Sequence, residues 1–294
     1  MNQPQGVRRR GIGMGGIRWW VLLLFAGYAI YYWVSNRSTD PLTGETVLID
    51  KSISPEDEKA LGLQAWQELQ QTERVIDPNH PNAAAVRAIA ARLIEKVPEV
   101  SDALAAEHGL QAQHIERTFE WEVNLIESEQ VNAFCLPGGK MAVYTGLIPV
   151  AQNNDAMAIV MGHEITHALL RHGAQRMTEQ KLAQIGQMAG AMSGMDAGQM
   201  QAVMAAYGYG RALPYARKQE SQGDEMGLML AAAACFDPNE AIPLWQRMEQ
   251  ASGGGGQQPE FASTHPNPGT RIQNLQALMP KAMEYRQRFC EEAK

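Results

Sequence analysis

The residues most able to do chemistry are two histidines and a glutamate within one five-residue stretch. His163, Glu164 and His167 form the pattern HExxH. If this stretch is helical, the two histidines lie about one turn apart on one face, roughly 6 Å along the axis, so both rings can reach one metal ion. Glu164 is then close enough to contact a water on that ion without ligating the metal itself. The pattern predicts a zinc site that activates water, with Glu164 as the general base.

A catalytic zinc site needs a third protein ligand, which leaves the fourth position for water. Glu220 is the candidate, because Asp224 follows it by four residues and so lies on the same face of a predicted helix. Glu220 would bind the metal, while Asp224 would accept a hydrogen bond from the outer N–H of a ligand histidine, expected to be His163. The alternative is that both carboxylates lie on a solvated helix face. The upstream HExxH and the lack of a competing histidine favour the ligand role.

The residues after His167 exclude one class of zinc protease. A metzincin would have glycine and histidine three and six residues beyond it, where this chain has Leu170 and Gly173. His172 lies about 140° round the predicted helix from His167, so it cannot share the metal unless the helix breaks. We therefore expect His172 at the surface or at a helix end.

The surrounding sequence predicts an α+β fold that is mainly α-helical. Alternating apolar residues at 119–125, and two short runs around the Pro-Gly-Gly turn at 137–139, indicate a small antiparallel sheet directly before the HExxH helix. That helix is expected to begin at the caps offered by residues 153–155 and to run to about Arg176. Asn132, Ala133 and Phe134 are the expected substrate-binding strand, since an extended peptide can add to an open sheet edge.

The N-terminal segment predicts membrane insertion. Residues 1–16 form a basic, glycine-rich tail, and residues 17–35 contain an apolar run with aromatic residues at both ends, which is typical of a single transmembrane helix. Residues 36–54 are expected to be a linker and residues 55–294 the catalytic domain. Four arginines before the apolar run that starts at Trp19, against Arg37 after it, predict a cytoplasmic N-terminus and a domain exported to the periplasmic side of a bacterial inner membrane. A cleaved signal peptide is the alternative, which the lack of a small-residue cleavage site disfavours.

Charge and cysteine content limit other roles. After residue 37 the chain carries 20 basic and 32 acidic side chains, so we expect no nucleic-acid partner. Cys135, Cys235 and Cys290 include no CxxC pair and so do not form a structural zinc knuckle. The sequence is compatible both with a disulfide between Cys235 and Cys290 and with three buried free thiols.

Four motifs, in order, resemble a known group of proteases. They are the run from Asn132 to Gly139, the HExxH pattern, the run from Leu213 to Asp224, and Ser263-Thr264-His265-Pro266. Together they resemble the membrane-associated zinc endopeptidases of the HtpX, Oma and CAAX-prenyl-protease type, and the resemblance spans about residues 55–289. The resemblance implies a zincin catalytic domain in which zinc is bound by His163, His167 and Glu220, with Glu164 as catalytic base and Asp224 as the second carboxylate.

The chain departs from that family in small ways. Gly223 stands where alanine is usual, and Cys135 stands where a smaller residue is commoner. Neither change removes a ligand. The multi-span architecture of the heat-shock and prenyl proteases is absent, so the single-anchored or peripheral branch is the closer likeness.

We therefore expect an endopeptidase with one Zn²⁺ per chain that hydrolyses extended or misfolded envelope proteins. His265 is expected to hydrogen-bond the developing oxyanion or the substrate backbone, the alternative being an exposed loop histidine. A chaperone or assembly factor that holds extended chains without turnover is the alternative function, which the intact Glu164 disfavours. A structural or storage metal protein is disfavoured because closed sites use Cys or a fourth ligand. The sequence indicates neither the physiological substrate nor the oligomeric state.

Overall fold

Ten α-helices and five short strands form the framework of the part of the chain that the computed structural model describes, residues 17–253, 265 and 270–290. The predicted tail at 1–16 and the last four residues lie outside it. The helices are α1 (Trp19–Ser35), α2 (Pro55–Thr72), α3 (Pro81–Glu107), α4 (Ile148–Ala151), α5 (Asn154–Leu169), α6 (His172–Ser193), α7 (Ala197–Tyr207), α8 (Leu213–Ala233), α9 (Ala241–Gly253) and α10 (Arg271–Phe289). The strands are β1 (Arg37–Thr39), β2 (Thr46–Leu48), β3 (Glu122–Ile126), β4 (Ala133–Leu136) and β5 (Lys140–Tyr144). This mainly helical arrangement with small sheets fits a zincin-like domain.

The helix that carries HExxH is the central element of the core. It begins where the Asn153 side chain accepts a hydrogen bond from the backbone N–H of Ala156 at 2.8 Å, as an N-cap does. Every residue of α5 from Ala156 to Leu169 is buried. A helix that is buried all round lies in the interior of the fold. Helix α5 packs against α3, α8 and strand β4. The HExxH residues are therefore held by packing on every face.

Glycines allow α5 and α8 to approach closely. A Cβ on Gly162 would lie 2.7 Å from the backbone oxygen of Gly227, and a Cβ on Gly227 would lie 2.6 Å from the backbone nitrogen of His163. Both distances are shorter than real side-chain contacts, and the opposing atoms belong to the backbone, which cannot rotate away. The two helices that carry the candidate ligands can therefore meet at this distance only with glycine at these two positions.

Gly227→Ala is expected to lower the free energy of unfolding by about 1–3 kcal/mol, because the added methyl group forces α5 and α8 apart. Gly186→Ala in α6 is the matched control, since that position is exposed and a Cβ there would meet nothing within 4 Å. The control should gain about 0.5–1 kcal/mol from the better helix propensity of alanine. Urea denaturation of both variants measures the difference. Equal stability of the two variants would mean that the helices do not meet at this glycine.

The larger sheet has three strands in the order β3, β5, β4. The pairing of β4 with β5 is antiparallel, as predicted, with Ala133 opposite Val143. The pairing of β3 with β5 is parallel, so the prediction of an antiparallel sheet is wrong for this pair. The chain leaves β3, forms β4 at the far edge, and returns between them as β5 through a turn at Gly138 and Gly139, whose φ angles are +85° and +88°. Strand β4 is thereby left at the edge of the sheet.

The N-terminal helix packs against α6. The backbone N–H of Arg18 donates to the carbonyl oxygen of Ser193 at 2.8 Å, and the Tyr32 hydroxyl donates to Asp50 at 2.9 Å. The membrane span predicted for residues 17–35 is not supported, since no helix in the described ranges combines the length and apolarity that crossing a bilayer requires. Helix α1 has 17 residues, which cover about 26 Å of a hydrocarbon core of about 30 Å. The predicted cytoplasmic N-terminus and exported domain depended on that span and lose their support with it.

The segment expected as a linker, residues 36–54, contains the antiparallel hairpin of β1 and β2. Its turn is closed by Asp40, whose side chain accepts hydrogen bonds from the backbone N–H groups of Leu42 and Thr43. Asp50, at the end of the hairpin, accepts a hydrogen bond from Tyr32 of α1 and forms an ion pair with Lys181 of α6. The hairpin therefore joins α1 to α6.

The C-terminal helix is fixed to the core at both ends. It packs against α8 and α9, and Arg271 at its beginning is 2% exposed. At its other end Cys290 forms a disulfide with Cys235, which follows α8. Of the two alternatives that the sequence left open, the structure has the disulfide, with Cys135 as a free thiol.

Candidate active site

Three side chains that can ligate a metal meet where α5 and α8 cross. Nε2 of His163 lies 3.0 Å from Nε2 of His167 and 3.4 Å from Oε2 of Glu220. Nε2 of His167 lies 3.7 Å from Oε1 of Glu220. A tetrahedral zinc ion with bonds of about 2.0–2.2 Å would hold its ligand atoms roughly 3.4 Å apart. The separations between these donor atoms therefore fit a single ion of that size.

The electrostatics of the pocket favour a cation between these three side chains. Burial acts to lower the pKa of His163, but the carboxylates of Asp224 and Glu220 outweigh it and raise that pKa to about 9. Burial acts to raise the pKa of Glu220, and His163 is the main group that brings it down, to about 2. A positive charge between these carboxylates is thus strongly favoured. A proton on His163 supplies it, and a bound metal cation would supply it equally.

Asp224 and Arg271 contact the candidate ligands from the buried side of the site. Nδ1 of His163 lies 3.1 Å from Oδ1 of Asp224, which fixes the ring with Nε2 toward His167 and Glu220. The Arg271 guanidinium donates from Nε to Oδ2 of Asp224 at 2.6 Å and from Nη2 to Oε2 of Glu220 at 3.1 Å. Its Cζ lies 3.9 Å from the centre of the Trp245 ring. Arg271 therefore neutralises two buried carboxylates and ties the C-terminal helix to the site.

Gly223, one of the departures from the family pattern, lies directly against the candidate ligand His163. A Cβ at this position would be 2.7 Å from Cε1 and 2.8 Å from Nδ1 of His163. With alanine here, the imidazole would have to shift. In this chain the glycine leaves the space that the His163 ring occupies.

His265 joins the same group from a different part of the chain. One ligand atom from each of His163, His167, Glu220 and His265 lies within 4.8 Å of the others. His265 is 7% exposed, and its Nε2 lies 3.4 Å from Oε1 of Glu164. Burial lowers the pKa of its imidazole to about 3. The alternative of a solvent-exposed loop histidine is therefore wrong.

His172 lies at a helix end, as one of the two predicted locations had it, but it is buried and not at the surface. Helix α5 ends at Leu169 instead of continuing to Arg176, and α6 begins at His172. Between them Arg171 adopts a left-handed conformation, with φ +53°. The turn brings Nδ1 of His172 within 2.6 Å of Nδ1 of His167, and the other ring nitrogen lies 3.1 Å from Oε1 of Gln222. His172 thus orients His167 from its outer side.

Glu164 faces a cavity of about 340 Å³ that runs along strand β4. The cavity is lined by residues 132–137 and by Glu164, His167, Arg176 and His265. Burial raises the pKa of Glu164 to about 8, and the charge of Glu220 adds to this while His163 opposes it. A carboxyl group with a raised pKa accepts a proton readily near neutral pH. Asn132, Ala133 and Phe134, predicted as the substrate-binding strand, therefore lie beside the candidate base.

Two arginines at the site were not foreseen from the sequence. Arg271 had only one available signal, its place six residues after His265 in the same segment. Arg176 contacts Oε1 of Glu220 at 3.3 Å and was predicted only as the approximate end of the HExxH helix. Nothing in the local pattern separates these arginines from ordinary surface residues.

Comparison with known proteins agrees with this geometry. The profile of peptidase family M48 matches residues 92–279, more than half of the chain. Mitochondrial metalloendopeptidase OMA1 of Schizosaccharomyces pombe is 31% identical over 272 residues, which cover 92% of this chain and 74% of the relative. Metalloendopeptidase OMA1 of Homo sapiens is 29% identical over 88% of this chain and 49% of its own length. The beta-barrel assembly-enhancing protease of Escherichia coli is 26% identical over 50% of this chain and 32% of its own. The chain belongs to peptidase family M48 and is a metalloendopeptidase.

Proposed function

We propose that the protein is a zinc-dependent endopeptidase in which His163, His167 and Glu220 hold the metal. The observation that carries this proposal is the convergence of these three donor groups beside Glu164. Two imidazoles and one carboxylate are a ligand set typical of catalytic zinc. When bound, zinc lowers the pKa of a water molecule and polarises the carbonyl of the peptide bond. Asp224 and His172 keep the two ligand rings in place.

Glu164 is the proton carrier in this proposal. Its carboxylate accepts a proton from the attacking water as the new bond from the water oxygen to the peptide carbon forms. The π electrons of the carbonyl move onto its oxygen. When the carbon–nitrogen bond breaks, that electron pair returns, and Glu164 delivers the proton to the leaving amine. His265, whose Nε2 is 3.4 Å from Glu164, lies where it can donate a hydrogen bond to the substrate carbonyl.

The substrate is an extended polypeptide that pairs with strand β4. This strand forms the edge of its sheet, and residues 132–137 line the cavity that contains Glu164. Addition of a strand uses backbone hydrogen bonds, which depend little on the amino-acid sequence of the substrate. A compact folded protein exposes few extended segments that can pair in this way. Unfolded or misfolded proteins are therefore the proposed substrate class.

Removal of the metal tests this function. Purified protein is expected to contain about one zinc per chain and to cleave unfolded casein. A chelator should abolish the cleavage, and added Zn²⁺ should restore it. A disulfide-bonded, folded protein of similar size, assayed before and after reduction, serves as the control and should be cut only after reduction.

A different outcome would identify the alternative function. If the protein suppresses aggregation of unfolded casein without producing fragments, with and without zinc, it acts as a holding factor and the endopeptidase proposal is wrong. Cleavage that persists in the chelated, metal-free protein would show that the metal has no part in the reaction.

A further inference from the structure

Arg176 is placed in the cleft by the break between α5 and α6. In a continuous helix, residue 176 would lie nine positions beyond His167, roughly 13 Å further along the axis. Instead the chain turns at Arg171, and Arg176 lies in the second turn of α6. Its side chain lines the cavity that also contains Glu164, His167 and His265. The break therefore adds a positive charge to the cleft.

The contacts of Arg176 leave donors for a ligand. Nε donates to Oε1 of Gln219 at 3.0 Å, and Nη2 donates to Oε1 of Glu220 at 3.3 Å. Among the described residues these contacts use two of the five N–H groups that a guanidinium carries. The side chain is 40% exposed, whereas Arg171, which also lines the cavity, is 23% exposed and is paired with Glu58. Among the described residues that line the cavity, Arg176 is thus the more accessible arginine, with N–H groups left for an incoming peptide.

Arg271 provides the comparison. Its guanidinium binds two carboxylates and stacks on Trp245, and its side chain is 1% exposed. Arg271 is therefore a structural partner of the ligands. Arg176 contacts the same ligand, Glu220, but through the oxygen that also faces His167 and from the open side of the cleft. Arg271 therefore supports the site from its buried side, and Arg176 faces the cavity that a substrate would enter.

We propose that Arg176 is a catalytic residue that donates a hydrogen bond to the carbonyl oxygen of the scissile peptide bond. This inference rests on the endopeptidase function proposed above. As the water oxygen bonds to the peptide carbon, the carbonyl oxygen gains the π electron pair and becomes negatively charged, while Glu164 takes the proton. A charged guanidinium stabilises that oxygen more strongly than a neutral histidine does. Arg176 and His265 then form two donors to the same oxygen.

Kinetics of Arg176→Gln tests this role. We expect kcat on an unfolded peptide substrate to fall about 10²–10³-fold with KM changed less than about threefold, as when one donor to an oxyanion is removed. Arg176→Lys, which keeps the charge, should recover at least about a tenth of the lost rate. Arg217→Gln is the matched control, because Arg217 is exposed on α8 outside the cavity lining. The control should keep the wild-type kcat.

A binding measurement separates this role from support of Glu220. Arg176→Gln should keep the wild-type zinc content. Its affinity for a phosphinic peptide, a tetrahedral anion that mimics the attacked carbonyl, should fall by the same factor as kcat/KM. Its affinity for the amine-side cleavage product should stay within about threefold of the wild type, since that peptide contains neither the scissile carbonyl oxygen nor the new carboxylate.

Three results would overturn the proposal: unchanged kcat in Arg176→Gln, loss of zinc from it, or an effect confined to KM for peptides with acidic side chains. Loss of zinc would mean that Arg176 holds Glu220 in place. An effect confined to KM would mean that Arg176 recognises acidic side chains of the substrate. Failure of the wild-type protein to cleave any peptide would contradict the proposed function itself. Failure of this inference and failure of the proposed function therefore give different experimental results.

Discussion

Glu164→Gln is expected to abolish detectable peptide cleavage while leaving the zinc content unchanged. The amide has nearly the shape of the carboxylate but cannot accept the proton of the attacking water, and removal of a general base costs about 10²–10⁴-fold in rate. Glu164 is not among the three proposed ligands, so zinc should stay bound. Peptidase assays beside elemental analysis of the same preparation measure both quantities.

The control for this variant is Glu129→Gln, which changes an exposed carboxylate before strand β4. It should retain full activity. Wild-type activity in Glu164→Gln would contradict the proposed mechanism. Loss of zinc from this variant would instead indicate that Glu164 ligates the metal directly.

Glu220→Ala is expected to lose both zinc and activity. The substitution removes one of three protein ligands, and it also leaves Arg271 with one carboxylate partner where it had two. Asp224→Ala should weaken zinc affinity by about 10 to 100-fold, since it orients His163 without binding the metal. Titration with a zinc-buffering chelator gives the affinity of each variant.

Because Glu220 is fully buried, its alanine variant needs a test of folding. Glu220→Gln keeps the volume and one acceptor for Arg271, so it should fold and still bind zinc poorly. Circular dichroism of both variants shows whether the helices persist. Wild-type zinc affinity in a folded Glu220→Gln protein would mean that a different residue is the third ligand.

The grouping of the candidate metal ligands could be predicted from the sequence because their geometry is local. His163 and His167 follow from helix periodicity, and α5 carries them on one face, with their Nε2 atoms 3.0 Å apart. The pairing of Glu220 with Asp224 has the same periodicity in α8. Their approach to α5 depends on Gly162 and Gly227, whose role becomes visible only when both backbones are in place.

Other features depend on contacts distant in the chain and could not be predicted from local patterns. The end of α5 is set at Arg171, whose guanidinium forms an ion pair with Glu58 of α2, 113 residues away. That contact determines where His172 and Arg176 lie. The parallel pairing of β3 with β5 likewise follows from the path of the chain between them and not from the alternation within either strand.

The disulfide joins Cys235 to Cys290, 55 positions later, and so closes a loop that contains His265 and Arg271. A single hydrolytic cut anywhere within that segment would leave two pieces joined through sulfur. Both pieces would migrate as one molecule in a non-reducing gel and as two bands after reduction. Arg271 would also remain bound to Asp224 and Glu220. A nick in this part of the chain would therefore change its covalent topology without releasing the C-terminal helix.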